Sequence, residues 1–168
     1  DLNKPATALE YFRKALKTLP GGNENVAEQA DYLKNQGLAL ERLQRRPEAT
    51  AVFEVAMRLA KTAAPAILNS VQDAWGTLLC QRGIRYGDSI SLRQSIGVLE
   101  QSRRRSDSLQ SSLSDPASRQ RWIELQFPAL ASAMEASYAL WKRSGENALL
   151  EQAFSLAERN KSLQLLEQ

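Results

Sequence analysis

Ala8-Leu9-Glu10-Tyr11-Phe12-Arg13-Lys14-Ala15-Leu16 and Ala49-Thr50-Ala51-Val52-Phe53-Glu54-Val55-Ala56-Met57 are the two stretches that decide the fold. Ala8, Phe12 and Ala15 in the first match Ala49, Phe53 and Ala56 in the second at a constant offset of 41. Spacing of four and then three keeps each set on one face of a helix. The alanines let a neighbouring helix come close, and the aromatic ring fills the gap between the two. A unit that recurs at such a period marks a solenoid of stacked helices.

The rest of the chain extends this pattern. Of 168 residues 43% are hydrophobic, enough for a core, while only 8 are glycine and 6 proline. That composition favours helix, and few segments alternate as strands do. Helices are expected over about 4–19, 25–44, 47–61, 65–85, 89–105, 116–143 and 147–168, about seven in all. Asn3 is a candidate cap for the first, with Pro5 in its first turn, and Pro20-Gly21-Gly22 stops it. Gly37 in mid-helix costs about 1 kcal/mol against alanine and marks close approach of another helix, and Gly76 sits in the same way. Asp88 and Asp115 are good caps, and Ser106 to Ser114 reads as a frayed helix end or a surface loop. Pro128 calls for a kink or the meeting of two helices, and Ser144-Gly145 for a stop. In the last helix Phe154, Ala157, Leu163 and Leu166 carry the apolar pattern. No low-complexity linker interrupts residues 1–168, so they read as one helical domain. Asp1 leads straight into what reads as the second helix of a unit, and Gln168 falls inside a helical run, so the chain reads as a fragment of a longer protein.

Composition also excludes chemistry. There is no histidine, which removes Ser-His-Asp and Cys-His catalysis and histidine metal sites from this chain. The single cysteine, Cys80, rules out an internal disulfide and a thiolate zinc site, and fits a reducing, cytoplasmic setting. No cofactor is expected, and a glycine-rich phosphate loop is absent. No apolar run approaches the ~18 residues of a membrane span, so no membrane association is expected. A net charge of +3 does not by itself indicate nucleic acid.

The residues Gly37, Ala49, Phe53 and Ala56, with Ala8, Phe12, Ala15 and Pro20 in the half-unit before them, resemble the tetratricopeptide repeat family. Gln36 and Lys61 depart from that family's usual bulky residue and proline, and the offset of 41 resembles its longer variants. A third unit, Gly76, Ser95, Leu99 and Ser102, resembles it more weakly. The stretch Gln152-Ala153-Phe154-Ser155-Leu156-Ala157-Glu158-Arg159-Asn160-Lys161-Ser162-Leu163-Gln164-Leu165-Leu166-Glu167 resembles the helix that closes repeat arrays ahead of a CHAT domain, a caspase-like protease fold. The resemblance implies a right-handed superhelix of antiparallel hairpins. It also implies a bacterial parent whose protease domain follows this chain and is contacted by it, with no catalytic residue in the chain itself.

Two surfaces are candidates for function. In such repeats the first helix of each unit lines a concave face that binds a protein or peptide. Here that face would carry Asp31, Lys34, Leu38, Glu41 and Arg42 on the second helix, and Ser70, Asp73, Thr77, Cys80 and Gln81 on the fourth. Ala8, Phe12, Ala15, Gly37, Ala49, Phe53, Ala56, Gly76, Phe154 and Ala157 would pack repeats together. The rival surface is Arg103-Arg104-Arg105 with Arg119 and Arg121, which in a helical-repeat nucleic-acid binder would contact phosphates. A basic helix end offsetting its own dipole is the favoured account of it, and nucleic acid is the less expected partner.

Overall fold

The computed structural model describes residues 4–20 and 25–165, so that Asn3, Gly21, Gly22 and Leu166, and the side chain of Leu163, lie outside the described residues. The protein is all-α, with no strand among the described residues. Its helices are α1 (Pro5–Thr18), α2 (Val26–Arg42), α3 (Arg46–Ala60), α4 (Pro65–Tyr86), α5 (Ser89–Ser112), α6 (Pro116–Glu124), α7 (Phe127–Ser144) and α8 (Asn147–Leu165).

Local chemistry explains where these helices start and stop. Pro5, Pro47, Pro116 and Pro128 all sit at the first or second position of a helix, where the missing N–H costs nothing. Pro128 therefore does not kink a long helix. The break falls just ahead of it, at Leu125 and Gln126, and divides the segment into α6 and α7. Asp88 caps α5 by accepting from the Ile90 N–H at 2.9 Å and the Ser91 hydroxyl at 2.6 Å, and Asp115 caps α6 by accepting from the Ser118 N–H at 2.7 Å. Gly145 ends α7 at φ 71°, the left-handed conformation that glycine adopts without strain. The serine-rich segment after Arg105 is helical as far as Ser112, because Ser106 is buried and its carbonyl accepts from the Trp122 indole at 3.3 Å.

The chain forms two compact units, Asp1–Ala74 and Trp75–Gln168, with α4 contributing its first part to one and its second part to the other. In the first unit α2 is the central helix, packed against both α1 and α3. Gly37 is what permits the α2–α3 contact. A Cβ at that position would lie 2.6 Å from Cε2 of Phe53, so the bare backbone receives the ring. Phe53 is fully buried, as are Ala49 and Ala56 on either side of it. On α1 the matching set is only half-buried, and Leu9 is the residue that joins Ala39, Leu40 and Ala49 in the core. Tyr11 and Phe12 meet edge to face at 5.6 Å, and Phe12 reaches Tyr32 of α2 at 6.3 Å.

In the second unit α5 packs on α7, and α7 on α8. A Cβ on Gly76 would lie 2.5 Å from Cγ of Leu99, and one on Gly83 equally close to Cγ of Leu92. Two notches on α4 thus receive two leucines from α5. Ser95 and Ser102, four before and three after Leu99, are buried like the alanines beside Phe53. Leu92 joins Cys80, Ala136 and Leu140 in one cluster, and Leu99 joins Leu130, Ala133 and Leu156 in another.

Candidate functional site

The residues expected on a binding face of α2 and α4 are held in different ways. Lys34 is already committed. Its ammonium donates to Asp31 at 2.5 Å and to the Ser70 hydroxyl of α4 at 3.0 Å, and its side chain is only 15% exposed. Asp31 also accepts from Asn35 at 3.1 Å. The trio ties α2 to the first part of α4 more than it offers a charge to a ligand. Leu38 and Glu41 are half-buried and Arg42 is exposed. Further along α4, Asp73 and Thr77 are half-buried and Gln81 is exposed. Cys80 does not belong to an outward face. It is 1% exposed, in the cluster with Leu92, Ala136 and Leu140. Burial, with a smaller contribution from the Glu135 carboxylate, pushes its thiol up to about 11, so it stays protonated and unreactive near neutral pH.

Arg103 and Arg104 of the arginine cluster are engaged with acids. Arg103 donates to Glu100 at 2.6 and 2.8 Å and to Asp107 at 3.0 Å, and Arg104 donates to Glu100 at 2.9 Å. Asp107 also accepts from Arg159 of α8. Arg119 turns onto the carbonyls of Leu113 and Ser114, bracing the turn between α5 and α6. The Arg103 pair, foremost, and Arg104 behind it hold the Glu100 carboxyl down to about 2 against the opposing effect of burial. Arg103 and Arg104 join α5 to itself, Arg159 joins it to α8, and a phosphate would have to displace a carboxylate to reach Arg103, while Arg104 is 74% exposed and meets Glu100 through its Nε.

A surface that the sequence pattern did not disclose lies between α7 and α8. Met134, Glu135 and Tyr138 of α7 face Leu150, Ala153, Phe154 and Ala157 of α8 across an open apolar groove of about 220 Å³. Phe154 was expected to pack repeats together, yet it is 65% exposed. The buried stripe of α8 runs one residue earlier, through Ala153 and Leu156, and this turns Phe154 outward beside the groove. Tyr138 is 46% exposed and stacks on Trp141 at 5.4 Å. The signal that could have revealed the groove is the pairing of Met134 and Tyr138 at i,i+4 with Leu150, Phe154 and Ala157, which only the α7–α8 hairpin brings together.

Among the described residues no cluster of acidic, histidine or cysteine side chains could hold a metal ion. None of their helices is long and apolar enough to cross a membrane. No protein-family model, no curated protein and no solved structure matches the chain.

Proposed function

We propose that this chain is a protein–protein interaction scaffold, a set of helical hairpins of tetratricopeptide type that serves as the recognition arm of a larger protein with a caspase-like CHAT domain. The observation that carries the binding role is the α7–α8 groove, at which Tyr138 and Phe154 both present large apolar surface to solvent. Exposing two such rings at one trough has a cost in water, and a partner's side chains relieve it. The reading as repeated helical hairpins is supported by a recurring small-to-large fit, Gly37 with Phe53 and then Gly76 with Leu99. Each such unit buries its face only against its neighbours, which is the logic of stacked repeats.

Binding is tested on an array of helical and extended peptides at about 100 μM, comparing the native chain with Phe154→Asp. A subset of peptides retained by the native chain and released by the variant is expected. If no peptide is retained, or the variant retains the same ones, the scaffold role for this groove fails. The CHAT association is tested by reading the parent coding sequence past Gln168. An α/β segment with a histidine after one strand and a cysteine after a later one supports it. A stop codon or only further helices removes it.

A further inference from the structure

We infer that the α7–α8 groove docks a basic amphipathic helix, one that places a large apolar side chain in the trough and Lys or Arg within a turn of it. The inference rests on the groove being a protein-binding surface and adds what kind of partner enters.

The walls are helical pairs. Met134 and Tyr138 are spaced i,i+4 on α7, and Ala153 and Ala157 are spaced i,i+4 on α8, with Phe154 beside them. Two helices with such rows leave a furrow that receives the ridge of a third. This molecule packs its own helices in a related way, with Phe53, Leu92 and Leu99 each plugging a place where the facing helix is smallest. The two alanines are the smallest side chains in the groove wall, so the natural occupant is another helix carrying one large plug.

Charge then selects among helices. Glu135 lines the trough. Glu151 and Glu158 lie three before and four after Phe154 on α8, on the side of the ring away from Ala153, and both are exposed. None of the three carboxylates has an ion-pair partner among the described residues. Lys142, stacked on Tyr138 at 5.6 Å, and Lys161, seven residues beyond Phe154, stand toward the two ends. The middle of the groove is therefore apolar with an acidic rim, and an incoming helix is matched when its bases flank its plug. A second copy of this chain is a poor occupant. Antiparallel pairing of two α8 helices across Phe154 would set Glu151 of one copy near Glu158 of the other, a like-charge contact.

The test uses the full chain and two synthetic helical peptides, identical in their Leu and Phe positions and carrying Lys or Glu at the flanking sites. Fluorescence anisotropy should show the Lys peptide binding at least ~10-fold more tightly than the Glu peptide, with several-fold weakening between about 50 and 300 mM NaCl. Phe154→Ala should weaken the Lys peptide ~10-fold or more. Glu135→Lys/Glu151→Lys/Glu158→Lys changes only exposed positions, and should invert the preference toward the Glu peptide. Equal binding of both peptides, removed by Phe154→Ala, would overturn the basic partner while leaving the groove a binding surface. Binding of neither peptide, or binding unaffected by Phe154→Ala, would overturn both. A concentration-dependent dimer by light scattering that Phe154→Ala dissolves would assign the groove to self-association and also overturn the inference.

Discussion

The contact of α2 with α3 and the contact of α4 with α5 solve one packing problem with two chemistries. In the first, Gly37 receives Phe53 between Ala49 and Ala56. In the second, Gly76 receives Leu99 between Ser95 and Ser102. The spacing within α3 and within α5 is the same, and so is the closeness, with the missing Cβ 2.6 Å from the ring in one and 2.5 Å from the leucine in the other. What is held constant is volume, small then large then small. Polarity is not held constant, because a serine can stand where an alanine does if its hydroxyl finds an acceptor. Ser95 finds one in the Gly76 carbonyl at 2.7 Å, whereas the buried Ser102 hydroxyl has none among the described residues. The second contact is thus tighter in its hydrogen bonding at one end and poorer at the other.

The largest expected effect comes from removing the plugs. Phe53→Ala should cost ~3–5 kcal/mol and Leu99→Ala ~2–5 kcal/mol, since each leaves a cavity against a glycine that has no side chain to fill it. Trp75, Trp122 and Trp141 all lie in the second unit, so tryptophan fluorescence follows that unit and far-UV circular dichroism follows both. Leu99→Ala should lower the urea midpoint by fluorescence. If Phe53→Ala lowers the dichroism midpoint and leaves the fluorescence transition in place, the two contacts are energetically separate. A common shift would show that the units unfold together.

Filling the notches comes next. Gly37→Ala and Gly76→Ala should each destabilise by ~1–3 kcal/mol, because the new methyl must displace a buried side chain. The helix propensity of alanine returns about 1 kcal/mol, so the net loss is smaller where the neighbour can move. Leucine has more freedom to rotate than a phenyl ring held between two alanines. Gly37→Ala should therefore be the costlier of the two by thermal denaturation. The reverse order would mean that the flanking serines hold Leu99 more firmly than the alanines hold Phe53.

The spacing made the first of these contacts legible in the sequence and the second only faintly so. Ala49, Phe53 and Ala56 announce themselves by size and hydrophobicity together. Ser95 and Ser102 conceal the same fit, because a scale of hydrophobicity reads serine as surface while packing reads it as small. The Ser106 to Ser112 segment is obscured for the same reason, and it is helix. Phe154 shows the opposite failure. It stands three before Ala157 as Phe53 stands three before Ala56, so it resembles Phe53, yet the true stripe is shifted by one residue to Ala153 and Leu156. Spacing alone does not fix the register when a helix offers two adjacent apolar rows. The fate of Lys34 was hidden as well, since its partner Ser70 is 36 residues away and only the fold brings it near.

Acid should separate the two regions in a third way. The carboxyl of Glu100 is held at about 2 instead of 4.5, chiefly by Arg103. Its contribution is complete above the unfolded value near 4.5 and is lost as pH falls toward 2. The corresponding ion pair beside α3, Arg45 with Glu48, is largely exposed and contributes little. Allowing for solvent screening, Glu100 should supply about 1 kcal/mol to the second unit. The fluorescence midpoint should drop between pH 5 and 2 by more in the native chain than in Glu100→Gln, which has lost that contribution already at neutral pH. Parallel pH profiles for the two proteins would show that Glu100 is not an acid-sensitive clasp.

The two serines beside Leu99 make the smallest and sharpest comparison, because the same substitution should act with opposite sign. Ser95→Ala deletes the bond to the Gly76 carbonyl and should cost about 1 kcal/mol. Ser102→Ala removes a buried hydroxyl that has no partner among the described residues, and should be neutral or stabilising by up to about 1 kcal/mol. Both changes leave a small side chain at the notch, so the fit of Leu99 against Gly76 is preserved and the difference isolates the hydroxyl. Urea denaturation followed by tryptophan fluorescence reads both. Equal losses at the two positions would mean that Ser102 has an acceptor in solution, and the second contact would then be as fully satisfied as it is close.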